Sequence, residues 1–268
     1  MGVSAALRTR LQRRIAVLLV VALGAVGYAV WPGSHRAAPA CLISATVRPD
    51  PYRLTPEQAG YASTIAAVGI RMGLPDHAVT VALATALQES GLRNLTYGDR
   101  DSIGLFQQRP SQGWGSKAQL LDPIYAATAF YEHLEQEPGW QTLSVTAAAQ
   151  GVQRSAAPDA YGRWEDSSRA IAAALTGEHP AAFTCTGLTI ATTTTSVSAL
   201  AQRELGTTGI TGTHAAAQGW AIASWLVAQS PRLGVTTVTF DARRWTAKTG
   251  AWQAVDGAQP LALDFVRA

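Results

Sequence analysis

Apolar and polar positions follow three different patterns along this chain of 268 residues. The first is an unbroken apolar run, "IAVLLVVALGAVGYAVW" from Ile15 to Trp31, which carries no charge. As a helix it would be about 26 Å long, at the short edge of what crosses a membrane. The second pattern, helical in period, fills residues 55–176. Thr55-Pro56-Glu57-Gln58 reads as a helix start, with Thr as N-cap, Pro in the first turn and Gln at the capping-box position. That helix is predicted to run to about Met72 and stop at Gly73. Asp76 is predicted to cap a second helix whose apolar positions Val79, Ala82, Leu83, Ala86 and Leu87 keep the helical period, with Gly91 ending it. A stretch rich in Gly, Asp, Ser and Pro follows, read as loop with room for one short hairpin. Further helices are predicted from Asp122-Pro123 through Leu134, from Val145 to Arg154, and from Tyr161 to Leu175.

The third pattern begins after "TIATTTTSVS", Thr189 to Ser198, which neither alternates nor favours a helix and reads as a linker. His214 to Ala228 reads as an amphipathic helix, Val235 to Phe240 as a strand, and "ALDFV" near the end as a second strand. The predicted organisation is a basic head (1–14), a transmembrane anchor or signal segment (15–31), a stalk (32–50), a helical domain (51–187), a Thr-rich linker (188–198) and a C-terminal module (199–268). The fold class expected is mainly α, with a small α/β or α+β module at the end.

Charge adds topology. Of 21 basic residues, Arg8, Arg10, Arg13, Arg14 and Arg36 precede position 37, where there is no acidic residue. The remaining 16 face 18 acidic residues, a net of −2, so nothing suggests nucleic acid as a partner. Arginines ahead of an apolar run favour a cytoplasmic head, a single pass through the cytoplasmic membrane and an extracytoplasmic body. A cleaved signal peptide, with secretion to the wall, is the competing reading, since "RAAPAC" offers small residues for cleavage. The two cysteines, Cys41 and Cys185, fit a disulfide on an exported chain, the alternative being two buried thiols. Five scattered histidines and the lack of a glycine-rich phosphate loop give no expectation of a metal or cofactor.

The chemistry concentrates where the second helix closes on "QES". A carboxyl group at a helix C-terminus sits at the negative end of the dipole, and apolar neighbours push its pKa up further. Both effects favour a protonated Glu89, the state that can donate a proton to a leaving glycosidic oxygen. A solvated Glu that merely ends a helix is the plain alternative.

With "QESG", "DSIGLFQQRPSQGWG" and "TAAAQGVQRS" in this order, the chain resembles the lysozyme-like superfamily over about residues 42–185. The closer likeness is to the transglycosylase-like domain of secreted actinobacterial cell-wall proteins. The resemblance implies a lysozyme-like helical domain in which Glu89, followed by Ser90, is the catalytic acid. It implies that Gly104-Leu105-Phe106-Gln107 lines a sugar cleft, and that Ala148-Ala149-Gln150 closes it, with Gln150 where Asn is usual. Residue type adds Tyr97, Gln108, Arg109 and Trp114 as candidate sugar contacts, although Phe106 suits a core equally well and Gln108-Arg109 a loop clamp.

Hydrolysis by the common routes needs a second carboxylate. Asp99 and Asp101 are the candidates, and both also suit turns. Without one, Glu89 would act as acid and then as base while the sugar's own 6-hydroxyl attacks. The function that the resemblance implies is cleavage of the β-1,4 bond between N-acetylmuramic acid and N-acetylglucosamine in peptidoglycan strands, with a 1,6-anhydro product as in lytic transglycosylases. The alternatives are a hydrolytic muramidase and a wall-binding or assembly protein with weak or no catalysis.

Overall fold

The computed structural model describes residues 38–268 other than 45, 46, 48, 49 and 156. The predicted basic head and apolar segment lie outside the described residues. Among the described residues no helix is long and apolar enough to cross a membrane.

Strands β1 (Ala40–Ile43) and β2 (Tyr52–Leu54) open the described chain. Helix α1 (Pro56–Arg71) follows, and its start is the predicted capping box: Thr55 accepts from the Gln58 backbone while the Gln58 side chain accepts from Thr55 N. Its C-cap is Met72 and Gly73 leaves it at φ 71°, where a Cβ would be strained. Helix α2 (Asp76–Ser90) comes next. Here the expected cap is corrected: Pro75 holds the N-cap position, and Asp76 is the first helical residue with no side-chain capping bond. Its end is as predicted, at Gly91 with φ 64°.

α2 is the central helix. Ala78 through Leu87 are buried without a break, which explains why its apolar positions form no one-sided stripe. Its alanines let neighbours approach closely, and around it pack α1, α3 (Lys117–Leu120) by way of α4 (Pro123–Gln136), α5 (Val145–Gln153), and α6 (Glu165–Leu175). Asp122 caps α4 by accepting from Ile124 N. The helix expected to begin at Tyr161 starts instead as a 3-10 segment, Pro158–Trp164, that turns into α6.

Strand β3 (Phe183–Thr186) returns to β1, giving a three-stranded antiparallel sheet of order β2-β1-β3. In it Cys41 lies directly opposite Cys185, and the two are joined by a disulfide. Part of the expected stalk is therefore a buried strand.

The remaining elements are α7 (Val197–Leu205), β4 (Gly212–Thr213), α8 (Ala216–Ala228), α9 (Ser230–Leu233), β5 (Val235–Phe240), β6 (Arg243–Thr246), β7 (Trp252–Ala254) and β8 (Ala262–Arg267). The five strands form an antiparallel sheet of order β4-β8-β5-β6-β7. The mainly helical expectation becomes a mixed α+β fold, helices with two antiparallel sheets.

The expected linker at 188–198 does not divide two bodies, because residues 38–268 form one compact unit. α8, expected to be amphipathic, is buried from Gly219 to Ala228, between the five-stranded sheet and α1, α6 and β3. At Gly219 a Cβ would stand 2.0 Å from the Phe240 ring, so helix and sheet meet only because that position is glycine. The two sheets are also stitched together. Trp252 Nε1 donates to Phe183 O at 2.8 Å and Trp245 Nε1 to Cys185 O at 3.2 Å, which covers the outer edge of β3. Tryptophans 220, 225 and 245 are core residues.

Candidate functional site

Each residue of "QES" is tied to a different neighbour. Ser90 is buried; its hydroxyl is 3.1 Å from Ala86 O and 2.7 Å from Leu105 O, and it accepts from Arg93 N. It clamps the helix end to the Gly-Leu-Phe-Gln segment and does not face a sugar. Gln88 Oε1 accepts from Arg163 Nη2 at 2.9 Å and Trp164 Nε1 at 3.0 Å, fixing the 3-10 segment over the helix end. From that segment the Tyr161 hydroxyl donates to Glu89 Oε1 at 2.8 Å.

Glu89 is half-buried, and burial pushes its carboxyl pKa up while the Tyr161 hydrogen bond opposes the rise. Burial is the larger of the two, so the net direction is upward. Glu89 Oε2 has no hydrogen-bond partner among the described residues. One oxygen is thus held while the other is open for a proton to leave or arrive.

Tyr161 is fully buried, and burial pushes its phenol well above the ordinary range, so it is a neutral donor. In the loop before the 3-10 segment, Ser155 donates to Gln150 Oε1 at 3.0 Å. Gln150 Nε2 in turn donates to Ser155 O at 2.9 Å. The Gln150 amide is therefore spent on that loop. The expected sugar contact becomes a support. The signal for Tyr161 was present in "AYGRWE", but its partner lies 72 residues away and no spacing rule links them.

The segment after the helix folds as a small hairpin, with isolated bridges between Leu95 and Gly104 and between Ile103 and Gln108. Gly104 lies at φ 80°, and a Cβ there would stand 2.5 Å from Leu120 O. Phe106 is fully buried and stacks on Phe130 at 4.7 Å, so it belongs to the core. Its carbonyl accepts from Gln153 Nε2 at 2.9 Å, tying the hairpin to α5. Gln107 at φ 49° donates to the carbonyls of Tyr97 and Gly104. Gln108 is buried and donates to Ala126 O. Both glutamines brace the hairpin. Trp114 is half-buried and stacks on His133 at 3.9 Å between ring centroids. Tyr97 is 68% exposed, the one large aromatic of this segment open to solvent.

The two carboxylate candidates part company. Asp101 accepts from Arg109 Nε at 2.7 Å, Ser111 N at 2.8 Å and Ser111 Oγ at 3.0 Å, and these bonds hold it far below the usual carboxylate range. It is a turn staple, and Arg109 is its partner. The Asp99 side chain is 92% exposed, 3.9 Å from Arg100. Neither contributes to the pKa shift of Glu89.

A separate cleft of about 520 Å³ opens between the N-terminal half of α1 and the α8–α9 junction, and Glu89 does not line it. No protein-family model matches the chain, and no curated protein matches it.

Proposed function

We propose that the protein cleaves the β-1,4 glycosidic bond between N-acetylmuramic acid and N-acetylglucosamine in peptidoglycan, with Glu89 as its acid and base. The observation that carries this reading is the state of Glu89. It is a half-buried carboxyl at a helix C-terminus, with its pKa raised by burial, one oxygen gripped by Tyr161 and the other open. Such a group stays protonated closer to neutral pH than a solvated Glu and keeps a fixed orientation, as proton donation to a leaving oxygen requires.

The 1,6-anhydro route fits better than hydrolysis. Asp101 is saturated by hydrogen bonds, and Asp99 is held only by a distant arginine on an exposed turn. With neither of these two carboxylates prepared as nucleophile or second base, Glu89 first protonates the glycosidic oxygen. As a carboxylate it then takes the proton from the muramoyl 6-hydroxyl, whose oxygen attacks the anomeric carbon. Tyr161 hydrogen-bonds the carboxylate formed between the two steps, when the negative charge is fully present. In this reading the domain is lysozyme-like, and its described body lies outside the cytoplasmic membrane, where the Cys41–Cys185 disulfide is stable.

A second reading, a wall-binding protein with little catalysis, draws on one observation: Ser90, Phe106, Gln107, Gln108 and Gln150 are committed to internal contacts, leaving few polar groups for a sugar. Incubation with peptidoglycan, comparing wild type with Glu89→Gln, separates the two. Cleavage that depends on Glu89 supports the enzyme, and retained binding without cleavage supports the alternative.

A further inference from the structure

The 3-10 segment that carries Tyr161 has little regular structure to hold it. It runs over seven residues, Pro158–Trp164, whereas 3-10 runs beyond about three or four residues are uncommon because their hydrogen bonds are poorly aligned. Trp164 then leads into α6 without a side-chain capping bond. Its position over the end of α2 is set by side chains, and three of them reach that helix: Tyr161 binds Glu89, while Arg163 and Trp164 bind Gln88.

The two helix residues are held differently. Gln88 Oε1 accepts twice, from Arg163 Nη2 at 2.9 Å and from Trp164 Nε1 at 3.0 Å, which occupies both lone pairs of a carbonyl oxygen. The Arg163 guanidinium also lies 5.1 Å from the centroid of the Trp164 ring, so the two donors support each other. Glu89 receives a single side-chain bond, 2.8 Å from the Tyr161 hydroxyl. The last torsion of a glutamate is broad and nearly two-fold, so nothing in the side chain itself decides which oxygen faces outward. The Tyr161 hydroxyl makes that choice, and it stands where the clamp on Gln88 puts it.

We propose that Gln88 is a positioning residue for the proton-transferring carboxyl: by holding Arg163 and Trp164 it keeps the Tyr161 hydroxyl on Glu89 Oε1, which leaves Oε2 as the oxygen that gives and takes the proton. Gln88 acts on the carboxyl only through Tyr161. The inference takes its meaning from the reading of Glu89 as acid and base, but the coupling between the three residues is present without substrate and is tested without it.

The test is a double-mutant cycle on the ionisation of Glu89. It is read by carboxyl carbon NMR titration of full-length protein in detergent, with the Glu89 signal assigned by its loss in Glu89→Gln. Burial and the Tyr161 bond are the causes of the Glu89 shift, so Arg93, Asp159 and Arg163, the charged groups beside it on the two elements, do not obscure the reading. Tyr161→Phe alone raises the Glu89 pKa, because it removes the bond that favours the anion. Gln88→Leu keeps a helix-favouring residue of similar size and removes the acceptor. In that background Tyr161→Phe causes no further rise, since the hydroxyl no longer rests on the carboxyl. Arg163→Ala, at an exposed position, removes one of the two donors and leaves a diminished rise. An equal rise in wild-type and Gln88→Leu backgrounds would overturn the proposal, as would no rise with Tyr161→Phe alone. Should Gln88→Leu fail to fold, an undiminished rise in Arg163→Ala overturns it instead. A wild type that leaves peptidoglycan intact would defeat the enzymatic reading of Glu89 and not alter the cycle, so the two failures are told apart.

Discussion

The Tyr161 hydroxyl donates to Glu89 Oε1 across 2.8 Å, from a 3-10 segment whose other anchors, Arg163 and Trp164, grip the preceding Gln88. The carboxyl is therefore aimed by a segment distant in sequence. Tyr161→Phe keeps the ring in place and removes the donor. It is expected to raise the Glu89 pKa further, because the bond that favours the anion is gone, and to cost about 1–3 kcal/mol of stability. The pH–activity profile checks this: its alkaline limb should move to higher pH in the variant, a displacement that a merely structural tyrosine would not cause.

The disulfide should carry much of the stability. Cys41 and Cys185 are 144 residues apart and join the first described strand to β3. In the chain-entropy account, opening that loop costs about 5 kcal/mol. Cys185→Ser, compared with wild type in non-reducing buffer, should show a large drop in melting temperature, and reductant should bring wild type down toward the variant.

Gly104 is a steric requirement of the hairpin that follows α2. Alanine there meets Leu120 O and a positive φ, a strain of about 1–3 kcal/mol. Gly104→Ala should lower the melting temperature, whereas Gly113→Ala, with nothing within 4 Å of its Cβ, should suffer only the backbone penalty and lose less.

Stability should fall as pH rises from the acidic side. Burial raises the carboxyl pKa of Glu204, which accepts from Trp225 Nε1 at 2.7 Å, and also that of Glu89. A folded-state pKa above the unfolded one means that the folded protein holds the extra proton in the window between them. Stability is then lost as pH rises through that window. Asp101 runs the opposite way: its contribution is present above the ordinary carboxylate range and is lost as pH falls through it. Glu204→Gln keeps an acceptor for Trp225 and should flatten the fall in melting temperature as pH rises above the ordinary carboxylate range. An equal fall in the variant would show that Glu204 is not its cause.

Local signals in the sequence were readable where a short range decides the outcome. Thr55 with Gln58, Asp122 with Pro123, and Gly91 mark helix ends because caps act within four residues. Strand β5 was legible from its β-branched run. Asp76 failed as a cap because Pro75 already supplies extended backbone at that position. The two-part organisation failed for a different reason. A threonine tract signals poor helix propensity, yet says nothing about whether Trp245 and Trp252 will reach back to β3. α8 carries only Gln218 and Ser224 among its apolar residues, and its burial depends on a sheet formed later in the chain.

At the candidate site, Glu89 was legible from its place on the helix, and its partners were not. Gln107 and Gln108 have the side chains a sugar cleft needs, but the same amides satisfy buried carbonyls of a tight hairpin. Composition cannot separate those uses. Gln150 spends its amide on Ser155, and the bond that aims Glu89 comes instead from Tyr161, 72 residues away in sequence.

The central claim rests on Glu89, and one measurement addresses it most directly. Purified full-length protein and its Glu89→Gln variant are incubated with peptidoglycan, and the soluble fragments are weighed by mass spectrometry. The account predicts muropeptides one water lighter than hydrolytic products, and a loss of at least about 10²–10⁴ in rate for the variant with its melting temperature retained. Release of the same fragments at the same rate by Glu89→Gln, or no fragments from wild type that binds the polymer, would contradict it.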